Sequence, residues 1–331
     1  MNTKINRAAT NHKSTRKTRR ALWLAAVLGV GLLHPGQASA ATYTWASGDT
    51  TGNWNSTSTT TDWSSATFPH LAGDIAQYLS TTANGTVSLN VSQTIGQVQA
   101  NDSGRLFTIS AGGGTLTFDN STNTVANIFG NNNAAISVAS GVTGTLVLTV
   151  AAPISLTNSD LDIGTLSTTA GVTVSGAITA TTAQNLNIRE NGGTGAMTLS
   201  GTIGASGSAI SINNVGTSTG TTTISGIVGP NASITENSST STLFLSGANT
   251  FTGGLTIKAG TVSGTTNATA FGAGAITLGD SSGIAAATLL GDGRTFANPI
   301  VLGGSTGTLT IGASTTTAAV FSGGVTGTSN L

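Results

Sequence analysis

The sequence predicts an all-β chain, a parallel β-helix (β-solenoid) preceded by a signal peptide and a short tryptophan-containing cap. Three observations carry this. Glycine occurs 46 times and threonine 62 times in 331 residues, with charged residues at only 7%. Short runs alternate β-branched or apolar residues with Thr and Ser, the period of a strand with one buried face. An apolar–Ser–Gly signature recurs at Val174-Ser175-Gly176, Leu199-Ser200-Gly201, Ile224-Ser225-Gly226 and Leu245-Ser246-Gly247. A helical bundle is excluded because Gly and Thr form helices poorly. Collagen is excluded because glycine does not recur at every third position. With no cysteine there is no disulfide and no thiolate chemistry.

The amino-terminal region comes first. Seven of the 11 basic residues precede Ala21, and all 11 acidic residues follow it. The apolar run Ala21–Leu33 and the small-residue site Ala38-Ser39-Ala40 complete the order of a secretory signal over residues 1–40, cleaved between Ala40 and Ala41. That run is too short to span a bilayer, which needs ~20 residues. The mature chain keeps Arg105, Arg189, Lys258 and Arg294 against 11 carboxylates, a net charge of −7. Nucleic acid is therefore not an expected partner, since its binding needs clustered Lys and Arg. No later segment reads as membrane-spanning. The expected partners are the export machinery and polysaccharide or other cell-surface material, and the expected location is exported: at the cell surface, outer membrane-associated or extracellular.

Residues 41–75 form the expected cap. Trp45, Trp54 and Trp63 recur every nine residues. A hydrophobic plug closing the solenoid is one reading, because a repeat array needs a cap. Indoles stacked on sugar faces are the other, and make these three the candidate glycan-binding residues.

Residues 76–331 are the expected coils. The signature serines lie 25, 25 and 21 residues apart, and Phe321-Ser322-Gly323 repeats the signature 76 residues later. A sandwich has no such super-period, and a propeller blade needs ~40–45 residues. A solenoid turn of roughly 22 residues fits, giving about 13 coils with rungs ~4.8 Å apart. Thr86–Asn90 and Thr94–Val98 are read as a first strand pair. Asn131-Asn132-Asn133 and Asn213-Asn214 are read as corners, because Asn tolerates left-handed backbone angles.

The stretch Leu243–Val262 reads LFLSGANTFTGGLTIKAGTV. With Phe271–Leu278 and Ala297–Val301 it resembles the autotransporter-associated β-strand repeat, also called the passenger-associated transport repeat, best matched over 243–331. The Trp-rich opening is similar to that of secreted proteins of this group. The resemblance implies that the β-helix is a right-handed parallel β-helix, and that the chain is a surface or exported passenger-type rod. No translocator barrel or sorting tail follows, so the expectation is a fragment of a longer protein or a short member.

Candidate chemistry is sparse. His70, after Pro69, is the one histidine of the mature chain, and with no cysteine or second histidine a zinc site is not expected. Asp160 and Asp162 share a strand face by their i, i+2 spacing, and paired carboxylates do glycosidic acid–base work at ~5–9.5 Å. Arg189-Glu190 lies about one coil further on. The competing reading makes all of these solvent-facing charges that keep a neutral rod soluble. Gly272-Ala273-Gly274 and Gly291-Asp292-Gly293 read as turns, since no helix follows them to cradle a phosphate. The expectation is a non-catalytic structural or adhesive surface protein with no catalytic residue, metal or cofactor. A polysaccharide lyase or hydrolase centred on Asp160/Asp162 is the alternative.

Overall fold

Side-chain parity builds the structure. In Gly85–Leu89, Val87 and Leu89 are buried while Thr86 and Ser88 stay half-exposed, and Met197–Leu199 and Thr222–Ile224 show the same buried–half-buried–buried pattern. The computed structural model describes residues 40–45, 51–55, 63, 67–79, 84–101, 104–123, 125–144, 147–329 and 331. Among these there is no helix. All strands assigned to ladders pair in parallel, and they stack as a β-solenoid of about 10 turns.

Three ladders run along the solenoid. The first links Thr42–Trp45, Ile75–Tyr78, Gln97–Ala100, Ala134–Val138, Leu161–Thr165, Gln184–Glu190 and Ile210–Asn214. It continues through Ala232–Glu236 and Leu255–Ile257 to Ile276–Leu278, Ile300–Leu302 and Val325–Thr326. The second runs from Thr51–Asn53 and Gly85–Leu89 to Leu309–Ala313. The third joins Gln93–Ile95, Leu116–Phe118, Ile154–Leu156, Ile178–Ala180 and Ile203–Gly207. The strands Ala232–Leu245 and Leu255–Gly264 each turn a corner and serve two ladders.

The core is a set of stacked columns. One consists of Val87, Ile109, Val150, Val174, Leu199, Ile224 and Leu245, each opposite the next in register and each buried. Each such side chain contributes about 1.5–3 kcal/mol through removal from water. Its last four members are the apolar positions of the Ser–Gly signature. The signature is therefore one corner, repeated rung upon rung. Ser175, Ser200 and Ser225 donate their backbone N–H to Val150, Val174 and Leu199. A Cβ added at Gly176, Gly201 or Gly226 would overlap the carbonyl oxygen of Ala152, Gly176 or Gly201. Glycine is required there by close backbone approach.

Four expectations change. The repeat is not uniform: Gln97 pairs with Ala135, 38 residues on, because the chain makes an excursion over 119–133 before rejoining the first ladder. Long turns reduce the number of coils from the expected 13. Phe321-Ser322-Gly323 lies off the signature corner, since Phe321 pairs with Phe296 in a separate two-stranded ladder. The strands near 86–90 and 94–98 do not pair with each other; in a solenoid, consecutive strands occupy successive faces and pair one turn away. Finally, Thr42–Trp45 already pairs with Ile75–Tyr78, so the ladders begin inside the expected cap segment. The expected signal peptide at 1–40 lies, apart from Ala40, outside the described residues.

Candidate functional site

Polar side chains concentrate on the outer surface and corners of the first ladder. Leu161–Thr165 is buried along its whole length. Leu161 and Ile163 face the core, so parity points Asp162 outward, where the excursion 119–133 folds over it. Asp162 Oδ2 accepts from Asn131 Nδ2 at 2.7 Å and Asn127 Nδ2 at 3.2 Å. Its Oδ1 accepts from Asn133 Nδ2 at 3.0 Å and Asn187 Nδ2 at 2.9 Å. Arg189 Nε lies 3.0 Å from Oδ2, but its N–H is not aligned for a hydrogen bond, so that contact is charge against charge. Burial pushes the Asp162 carboxyl up. The amides of Asn133, Asn131 and Asn187 and the charge of Arg189 outweigh burial and hold it below the usual range.

Asp162 is thus an enclosed, ionised, saturated acceptor. Asp160, half-buried, is held by Asn185 through its N–H at 2.7 Å and its Nδ2 at 2.9 Å. The acid–base pair of the alternative reading would need an accessible Asp162, which is 0% exposed. The asparagines also differ from expectation. Asn131–Asn133 do form a bend before the strand Ala134–Val138, but without left-handed angles, and Asn131 and Asn133 are amide donors to Asp162. Asn213 and Asn214 lie within the strand Ile210–Asn214. Asn213 donates outward to Asn187 Oδ1 at 3.1 Å, while Asn214 faces inward.

Two further carboxyls are buried inside the solenoid, the first of them, Glu190, against the reading of solvent-facing charge. Glu190 and Glu236 are both 0% exposed. Burial raises Glu190 to about 7, against hydrogen bonds from the backbone of Gly220 and Gly193. Burial raises Glu236 to about 8, against Asn214 Nδ2 at 2.7 Å and the Ser238 N–H at 2.7 Å. Parity carried this signal: Leu186, Ile188 and Glu190 share the inward face, as do Ile234 and Glu236.

The tryptophans do not offer sugar platforms. Trp45, Trp54 and Trp63 are buried. Trp45 and Trp54 each meet Trp63 edge-on with ring centroids 5.2 Å apart. Trp54 Nε1 donates to Pro69 O and Trp63 Nε1 to Trp54 O, each at 2.8 Å. No indole face is left for a ligand, which removes the stacking expectation. His70 is exposed, its Nδ1 is 2.6 Å from Phe68 O, and its ring packs at 5.3 Å from Phe68. Ala41 N–H donates to Asp74 Oδ1 at 3.1 Å. Among the described residues no group of three or more His, Asp or Glu side chains is arranged to hold a metal ion, and no helix is long and apolar enough to cross a membrane.

The second ladder presents a different surface. Thr86, Thr108, Thr149, Thr173, Thr198 and Thr223 stand opposite one another in unbroken register. Each is half-buried by its neighbours, and the strands carrying them contain no charged residue. Ser175, Ser200 and Ser225 form a parallel exposed column two residues further on.

Fold and site together define a parallel β-solenoid with amide-rich and hydroxyl-rich outer faces. No known protein family, curated protein or solved structure matches the chain.

Proposed function

We propose that this protein is an exported, non-catalytic surface rod of the autotransporter-associated repeat type, making weak, repeated contacts with polysaccharide or other cell-surface material. The observation that carries this is the threonine column on the second ladder. Rungs ~4.8 Å apart place six identical hydroxyl-and-methyl side chains on a flat, uncharged strip. Single contacts of this kind are weak, and their repetition along a rigid scaffold supplies avidity. Enclosure of Asp162 supports a binding role over the hydrolytic alternative. The basic-then-apolar opening and the small residues before Ala41 support export.

The test is co-sedimentation of the protein recovered from native cells with insoluble polysaccharides, beside the triple variant Thr173→Lys, Thr198→Lys, Thr223→Lys. Binding by the wild type and its loss in the variant are expected. Equal sedimentation of both proteins would remove the threonine face from the function. Amino-terminal sequencing of the same material is expected to begin at Ala41.

A further inference from the structure

Where the chain enters the first ladder, one corner of the solenoid carries a cavity of about 380 Å³. It lies at the lower end of the ~300–1,000 Å³ range of ligand sites. Its walls come from three successive turns and include Asn120, Asn133, Asn158, Ser159, Asp160 and Gln184. Amides, hydroxyls and one carboxylate make up its polar lining, with no cation and no aromatic ring.

The lining is pre-organised. Asn120 donates its N–H to Ser159 Oγ at 2.9 Å and its Nδ2 to the carbonyls of Asn132 at 3.0 Å and Asn133 at 3.1 Å. Asn158 sits at φ 54°, a left-handed angle Asn tolerates, and its Nδ2 donates to Asp119 Oδ2 at 3.0 Å. Both Asp160 oxygens are oriented by Asn185, one donor each. A carboxylate has about four acceptor sites, so Asp160 retains capacity for two more donors. Asn120 Oδ1 is buried without a hydrogen-bond partner, packed toward Gly96 of the preceding turn and closed off from the cleft. It lies so close to Gly96 that a Cβ there would overlap it, so glycine at 96 leaves room for this side chain.

The corner continues. Gln184 stands opposite Ile210, and Ile210 opposite Ala232. Around these two lies a second, more apolar cleft of about 230 Å³, bordered by Ala209 and Pro230 as well as Ser211, Asn231, Ser233 and Thr252. The two clefts follow one another along the axis on adjacent rungs.

We propose that this corner is a binding groove for a neutral linear saccharide, with Asp160, Asn158 and Gln184 contacting one sugar unit through its hydroxyls. The proposal rests on the surface-contact reading above and names the ligand class and the site. A neutral polyol fits because adjacent hydroxyls both donate and accept, matching a carboxylate beside side-chain amides. An anionic sugar is disfavoured by Asp160, with Arg189 already engaged on Asp162. A divalent cation is disfavoured because, among the described residues, Asp160 is the one carboxylate lining the cavity.

Saturation-transfer NMR on the full protein recovered from cells tests this with cellohexaose, maltohexaose, mannohexaose and xylohexaose. Polygalacturonate and calcium chloride serve as separate probes. Transfer to at least one neutral hexasaccharide is expected. Asp160→Ala is expected to weaken it by about tenfold, the loss of one hydrogen bond to a charged group. Gln184→Ala is expected to weaken it less, and Thr288→Ala, outside the groove, not at all. Asp160→Asn keeps the shape and an acceptor for Asn185, so it reports on the site if Asp160→Ala does not fold. No transfer to any neutral probe, a response to polygalacturonate or calcium alone, or equal transfer in the wild type and both Asp160 variants would overturn the groove. If polysaccharide sedimentation persists in that event, the surface-contact reading stands and only the groove falls. If sedimentation is absent as well, both fall.

Discussion

Raising the pH is expected to loosen this solenoid from the inside, and Glu236 is the main reason. Its carboxyl is enclosed, and its folded-state pKa is raised from 4.5 to about 8. Below pH 4.5 the carboxyl is protonated in both folded and unfolded chains, and nothing is lost. Above that point the unfolded chain releases the proton while the folded chain keeps it. Stability then falls by about 1.4 kcal/mol per pH unit, until the folded chain also ionises near pH 8. The full span amounts to about 5 kcal/mol for Glu236. Glu190, raised to about 7, acts in the same direction over a shorter window. Glu236→Gln removes the titrating group and keeps an amide that can accept from the Ser238 N–H and donate to a flipped Asn214. Guanidinium unfolding followed by far-ultraviolet circular dichroism between pH 4.5 and 8.5 measures the effect. The wild type is expected to lose stability steeply across this range, and Glu236→Gln to lose less by up to about 5 kcal/mol at pH 8. Parallel pH profiles for the two proteins would refute the argument.

Other perturbations probe the remaining devices. Asp162→Ala leaves four amide donors and the partly exposed Arg189 without their shared acceptor, and is expected to cost about 3 kcal/mol, read as a lowered melting temperature; because the folded carboxyl is depressed, the wild-type contribution is present above the ordinary carboxylate range and fades as pH falls through the folded pKa. Gly201→Ala drives a methyl into the Gly176 carbonyl and is expected to cost about 1–3 kcal/mol or more, whereas Ser200→Ala beside it, exposed, stays within about 0.5 kcal/mol in the same denaturation assay. Asp74 also accepts from the N–H groups of His70 and Leu71, each at 3.0 Å. Asp74→Ala is therefore expected to expose the tryptophan cluster, seen as a red shift of its fluorescence, with little change at amides beyond residue 150 in hydrogen exchange.

The fold was legible because a solenoid writes its geometry into short-range sequence. Val174, Leu199, Ile224 and Leu245 recur because each must stack on the one before, and the glycines after them recur because the corner backbones nearly touch. Glu190 and Glu236 were readable in principle, since each shares parity with buried isoleucines, but a carboxylate is ordinarily assigned to solvent. Asp162 was not readable. Its parity points outward, and only the excursion that folds back from 119–133 buries it.

The sequence by itself determined the β period, the stacking repeat and the glycine corners, because these depend on residues two positions or one turn apart. The tertiary structure alone decided which polar side chains meet. It set the asparagines of one turn around a carboxylate of the next, closed three indoles on one another, and opened a cleft between turns. Those contacts depend on the lengths of the loops between rungs, and no local pattern encodes where a loop comes to rest.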